Sequence, residues 1–191
     1  SGHGVAAGLV MMMVQTALKT VLTTSPDALS PALVLARTNA AVRGSLQQIG
    51  EDQYMTLSIL ELGPGSVRYA GLHQDIFVHR ARSQQVERIE TRGAWLGILD
   101  DIAGLNEDEC FELEPGDTLL LFTDGLTEQP GDGGLLGSDG LARQFASAAA
   151  AHPAPLAILN GLFAALSPEV PQDDMTLMVV RFDPKSQGPE A

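Results

Sequence analysis

From Val5 to about Leu22 the apolar positions follow a helical period. Val10, Val14, Ala17, Leu18 and Val21 share one face, and Gln15, Thr16, Lys19, Thr20 and Thr23 make a polar stripe opposite. Ser25-Pro26-Asp27 breaks the pattern, and Ser30-Pro31 opens a second helix with Ser as cap and Pro in the first turn. Its Leu35, Val42, Leu46 and Ile49 are spaced to pack on the first helix before the pattern ends near Gly50. From Tyr54 the period changes to two: Met55, Leu57 and Ile59 alternate with Thr56 and Ser58, as in a half-buried strand. Gly63-Pro64-Gly65-Ser66 turns that strand back into Val67-Arg68-Tyr69-Ala70, a hairpin. Asp75 to His79 and Val86 to Ile89 are further short strands. After a loop through Trp95-Leu96-Gly97, Cys110 to Leu113 and Asp117 to Thr123 are expected to pair around Pro115-Gly116. The glycines between 130 and 140 predict a mobile loop. Helices over roughly 138–150 and 154–166 and a strand over 175–182 follow, then a frayed tail from Pro184 to Ala191. Paired helices with many short antiparallel strands read as an α+β layered domain, not as alternating βαβ units.

Composition narrows the class. At 191 residues and 45% hydrophobic, the chain can bury the core of one globular domain, taken here as residues 1–183. A net charge of −13 argues against nucleic acid, which selects a basic face. Cys110 is the one cysteine, which excludes an internal disulfide and a thiolate zinc cluster and fits a reducing, cytoplasmic setting. The apolar run Val5 to Val14 is only about half the roughly twenty residues a bilayer needs, so no membrane span is expected. Met11-Met12-Met13 is read as core filling.

The chemistry concentrates at two strand ends. Leu119-Leu120-Leu121-Phe122 reads as a buried strand that runs through Thr123 into Asp124-Gly125, and Asp173-Asp174 precedes the apolar strand from Met175. A carboxylate at the mouth of a buried strand is costly to desolvate unless cations or hydrogen bonds compensate it. Mg²⁺ and Mn²⁺ take oxygen ligands, commonly a few carboxylates, and a pair of such ions can run phosphoester hydrolysis. Asp-Gly is also an ordinary turn after a strand, and Pro171-Gln172-Asp173-Asp174 an ordinary turn before one. The metal reading requires the side chains at 124 and 173 to converge, expected across two packed layers of strands.

Several motifs recur in one order. They are Ser1-Gly2-His3-Gly4-Val5-Ala6-Ala7-Gly8, Met55-Thr56-Leu57, Tyr69-Ala70-Gly71-Leu72-His73, Leu96-Gly97, Gly116-Asp117, Phe122-Thr123-Asp124-Gly125 with Glu128, and Asp173-Asp174-Met175-Thr176. Together they resemble the metal-dependent protein phosphatases (PPM superfamily), in the bacterial branch of the stage II sporulation and sigma-factor-regulating phosphatases. The resemblance implies two antiparallel sheets flanked by helix pairs, an αββα sandwich here lacking its first strands. It implies a Mn²⁺ or Mg²⁺ pair and hydrolysis of phosphoserine or phosphothreonine by metal-bound water, with no side chain as nucleophile. Asp124 and Asp173 resemble metal ligands; Asp174, where relatives often carry Asn, is a further candidate. Gly2, His3 and Gly125 flank the ligands and would support them. His73 is expected to pack or hydrogen-bond, and His79 and His152 carry no signal. The implied partner is a phosphorylated signalling protein such as an anti-sigma-factor antagonist, dephosphorylated by the output domain of a bacterial regulator.

In this branch an Asp that bridges both metals stands two positions before Ser-Gly-His-Gly, and the sequence given starts at Ser1. The expectation for this stretch alone is weak Mn²⁺ binding, poor or no catalysis, and self-association through exposed strand edges. The rival is a phosphatase-like module that binds a regulatory partner without hydrolysing anything; an Asp two positions upstream in the parent protein favours the enzyme.

Overall fold

The computed structural model describes residues 5–25, 28–49, 53–131, 134–166 and 174–184. They form two compact units, and the chain passes between them more than once. One unit takes the chain up to His73 and Thr91–Glu112, the other Gln74–Glu90 and everything from Leu113.

In the first unit, helices α1 (Val5–Thr24) and α2 (Pro31–Ile49) accompany strands β1 (Leu57–Gly63) and β2 (Ser66–Leu72). The expected cap is present, with the Leu33 amide donating to Ser30 Oγ over 3.4 Å. Val10 and Val14 of α1 meet Leu35, Val42 and Leu46 of α2 in the core, as the periodicity predicts. The methionine run departs from it: Met13 packs on the core, but Met11 and Met12 are 49% and 61% exposed. Successive helical residues point about 100° apart, so one seam cannot bury all three. The length counted against a membrane span is also corrected. As a continuous helix of 20 residues and mean hydropathy 1.7, α1 is long and apolar enough to cross a bilayer by length and composition. The run to Val14 counts only consecutive apolar residues, whereas the helix continues to Thr24, where Thr20, Thr23 and Thr24 satisfy their hydroxyls on carbonyls one turn back.

Strands β1 and β2 form the predicted hairpin, Gly63 facing Ser66 across Pro64-Gly65. Gly71 of β2 has φ +100°, and a Cβ there would sit 2.2 Å from the Leu57 carbonyl oxygen and 2.8 Å from Leu35 Cδ1. The glycine in Tyr-Ala-Gly-Leu-His therefore lets β1 and α2 close on the same point of backbone.

The second unit carries β3 (Ile76–Arg80), β4 (Gln85–Ile89), β6 (Thr118–Phe122) and β9 (Leu177–Arg181) in one antiparallel sheet of order β4-β3-β6-β9. Helices α4 (Gly137–Ala151) and α5 (Pro155–Leu166) bury Leu141, Phe145, Ile158 and Leu162 against Phe77, Leu120 and Phe122. The chain is thus α+β, with two antiparallel sheets and a helix pair with each, as the motifs imply.

The expected hairpin around Pro115-Gly116 is overturned. Strand β5 (Glu109–Glu112) pairs with β2 in the first sheet, whereas β6 pairs with β3 and β9 in the other. The turn itself exists, closed by the Asp117 amide on the Glu114 carbonyl at 2.9 Å. It hands the chain from one sheet to the next because Asp117 anchors it elsewhere. That carboxylate, 1% exposed, accepts from Arg80 Nη1 and the Ala81 amide at 2.8 Å and the Glu114 amide at 3.1 Å. The 130–140 stretch likewise differs from a plain loop. Its described residues form a short ladder, β7 (Pro130–Gly131) with β8 (Gly134–Leu135), followed at once by α4. Leu136 packs on the core and its amide bonds the Gln129 carbonyl at 2.7 Å, which fixes the return. The tail from residue 185 lies outside the described residues.

Replacing Asp117 by Ala would remove the acceptor of the part-buried Ala81 and Glu114 amides and the buried one of the two carboxylates, Asp117 and Glu87, that hold the Arg80 guanidinium. Asp117→Ala is expected to lower unfolding free energy by about 3 kcal/mol, read from the urea midpoint at unchanged slope.

Candidate metal-binding site

The site begins with the burial of β6. Thr118, Leu119, Leu120 and Phe122 are all buried, so the strand is held on both faces and along both edges. At its end Thr123 adopts extended backbone (φ −101°, ψ 160°), and the chain enters a single helical turn, α3 (Asp124–Thr127), which periodicity had not revealed. A four-residue turn is too short to show a period. Its anchor is Leu126, wholly buried among Leu141, Phe145 and Phe122, while the Thr127 hydroxyl and Glu128 amide close the turn on the Asp124 carbonyl at 3.0 Å. Gln129, 2% exposed, donates to the Gly125 carbonyl beneath. Gly125 is buried and Asp124 above it is exposed, its Oδ1 accepting the Gly125 amide at 3.1 Å. The backbone of the Thr-Asp-Gly motif is thereby fixed from below, and its carboxylate faces solvent.

Thr123 joins this end of β6 to the segment before β9. Its amide donates to the Thr176 carbonyl at 3.2 Å, its hydroxyl donates to the Asp174 carbonyl at 3.2 Å, and the Thr176 amide donates to that hydroxyl at 3.0 Å. The register Phe122–Leu177 continues through this pairing and sets Asp124 opposite the chain at Met175, with exposed Asp174 one residue further on. Asp124 and Asp174 therefore share one end of one sheet. The expected convergence of Asp124 with Asp173 across two layers of strands lies outside the described residues; Asp124 and Asp174 themselves stand on neighbouring strands of one sheet. Asp173, Gly2 and His3 lie outside the described residues.

The donors found here are carboxylate oxygens on an exposed rim, the kind Mg²⁺ and Mn²⁺ take in preference to nitrogen or sulfur. Their number is short. Among the described residues no group of three or more Asp, Glu, His or Cys side chains is placed to hold an ion. The other motif residues have structural work. Asp117 is an internal anchor, Gly71 a point of close approach, and His73 Nδ1 lies 3.0 Å from Thr56 Oγ1, as expected of a packing or hydrogen-bonding residue.

The family model for stage II sporulation protein E (SpoIIE) matches residues 1–183. No curated protein matches the chain in sequence. Among solved structures, the SiaA-PP2C domain of Pseudomonas aeruginosa is similar at TM-score 0.75 and 23% identity, over 96% of this chain and 73% of that one. The RsbU and RsbW domains of Rv1364c from Mycobacterium tuberculosis align at TM-score 0.68 and 25% identity, over 94% of this chain; this chain spans 49% of that protein. RsbX in complex with magnesium aligns at TM-score 0.63 and 15% identity, over 93% of this chain and 75% of that one.

Thr123→Val keeps the shape of the side chain and removes the hydroxyl that joins the two strand ends. It is expected to cost about 1 kcal/mol in urea unfolding and to speed exchange of the Thr176 amide, whereas Thr123→Ser costs less than about half as much.

Proposed function

The chain belongs to the SpoIIE family of PP2C-type phosphatase domains, and from that premise we propose that it hydrolyses phosphoserine or phosphothreonine on a signalling protein with Mn²⁺ or Mg²⁺. The observation that carries the proposal is the Thr123 junction, which brings Asp124 beside Asp174 at the rim of the sheet in a chain that the family model covers to residue 183. Magnesium in the similar RsbX structure supports the choice of ion. Asp124 and Asp174 would hold it together with Asp173, the residue before Asp174 in the sequence.

A divalent ion supplies positive charge against the phosphoryl oxygens and lowers the pKa of water. The chain's own part is placement. Leu126 holds the Asp124 turn in the core, and Thr123 sets its distance from the incoming strand. The exposure of both carboxylates leaves room for a protein-borne phosphate, which a closed cavity would exclude. In the reaction water adds to phosphorus and the ester P–O bond breaks. The products are the free hydroxyl of the substrate residue and inorganic phosphate.

The similarity to the RsbU and RsbW domains of Rv1364c supports a phosphorylated regulatory protein as substrate, read here as an anti-sigma-factor antagonist. Residues 1–183 are read as one phosphatase domain in a cytoplasmic regulator, a setting in keeping with the free, exposed Cys110.

In the intact protein, release of phosphate from a phosphoserine peptide should require Mn²⁺ or Mg²⁺. Asp124→Asn should reduce it by at least about 100-fold while circular dichroism is unchanged, since even the partners of metal ligands cost up to that much. A folded protein without metal-dependent turnover would instead be a phosphatase-like module that binds its partner only.

A further inference from the structure

The sheet that ends at Asp124 has a cavity of about 180 Å³ at its opposite end. Thr118, the first residue of β6, pairs with His79 on one side and Arg181 on the other, so both belong to this end. At about 3.3 Å per residue, Thr118 and Asp124 are roughly 20 Å apart along the strand. The polar walls are His79, Gln84, His152 and Arg181, with Gly116 and Pro153 between them, and among the described residues no acidic side chain lines the cavity. That is unusual in a chain of net charge −13.

The atoms in the cavity suit an anion. Arg181 makes no ion pair among the described residues. Its guanidinium lies over Gly116, where a Cβ would come 3.3 Å from Arg181 Nη2 and 3.1 Å from Ala81 Cβ. With φ +92° and no side chain, Gly116 leaves this wall bare. His79 is 2% exposed, its ring edge against Phe145, and its Nε2 has no hydrogen-bond partner among the described residues. A buried imidazole nitrogen without a partner carries a desolvation cost that a ligand atom would relieve. Burial pushes the His79 pKa below its ordinary value, Asp117 acts against this and Arg181 with it. Asp117, the nearby acid, is already taken by Arg80 and two backbone amides. Gln84 sits in the left-handed region (φ 59°) and turns its amide back to the Ala81 carbonyl at 2.7 Å, which keeps that side chain beside the cavity mouth.

We propose that this cavity binds a small tetrahedral oxyanion of the size and charge of phosphate, held by the Arg181 guanidinium with His152 and Gln84 around it. The planar guanidinium fork matches two phosphate oxygens at once, and charge-assisted bonds of this kind are the strong ones. The site does not depend on the hydrolase reading, since it shares no residue with the Asp124 rim.

The test is calorimetric titration of the full chain with inorganic phosphate in a chelator, with sulfate and with chloride at matched ionic strength. Saturable phosphate binding is expected, shared by sulfate and absent with chloride. Arg181→Gln should weaken it by at least about tenfold, exposed His152→Asn should weaken it by a smaller factor, and Asp124→Asn should leave it unchanged. Binding that does not saturate, that chloride reproduces, or that survives Arg181→Gln intact overturns the proposal. Loss of binding in Asp124→Asn overturns it too, by moving the anion to the other end of the sheet. If Arg181→Gln fails to fold, His152→Asn decides, and undiminished affinity there is a refutation.

Discussion

Strand β6 is the constraint on which the second unit depends. It is paired along both edges, buried on both faces, and carries an aspartate just before it and another just after. Water cannot reach its interior, so polar groups at its two ends must be satisfied by protein or face solvent. The two ends solve this differently. Asp117 is enclosed and takes its hydrogen bonds from Arg80 and backbone amides, so it fixes the turn and the sheet change and is shut off from a ligand by burial. Asp124 is exposed, with one local amide contact from the backbone it precedes. Two carboxylates flanking one strand thus have opposite roles, and burial, not residue type, assigns them.

The rigidity needed at the open end comes from apolar packing more than from the polar contacts themselves. Leu126 lies wholly in the core, and Met175 packs against the same cluster from the strand that arrives beside it. These side chains pin the backbone on either side of the junction, and the Thr123 hydroxyl then has only to set register between two segments already held. A hydroxyl that both donates and accepts does this with little freedom to slip. Such support suits a rim that must keep carboxylates near one another despite their mutual repulsion.

Much of this was legible in the sequence. The helices α1, α2, α4 and α5 and the β1–β2 hairpin follow from period and punctuation, because each has one buried face and clear stop signals. Ser30-Pro31 told where α2 begins, and Leu119 to Phe122 told that a buried strand leads to Asp124. What stayed hidden is non-local. Which sheet β5 joins depends on Asp117 being captured by Arg80 and Ala81, residues distant in sequence, and Pro115-Gly116 reads the same in a hairpin and in a crossover between sheets. His79 looked like one more strand residue. Its meaning lies in Arg181 arriving on the far side of Thr118, which only the register of three strands reveals.

The same register gives the sheet a polarity. Reading along β6 from Thr118 to Asp124, the neighbouring strands contribute His79 and Arg181 at the start and the Asp174 segment at the end. A sheet has almost no net dipole of its own, so any difference between its ends must come from side chains. Here Arg181 and the imidazole groups stand at one end, where Asp117 is already held by Arg80, and the exposed carboxylates of Asp124 and Asp174 stand at the other. Opposite charges roughly 20 Å apart lie beyond the Debye length of physiological salt, so neither end neutralises the other. The two proposed ligands, a cation at the rim and an anion in the cavity, would therefore bind without sharing a field, with the buried strand between them.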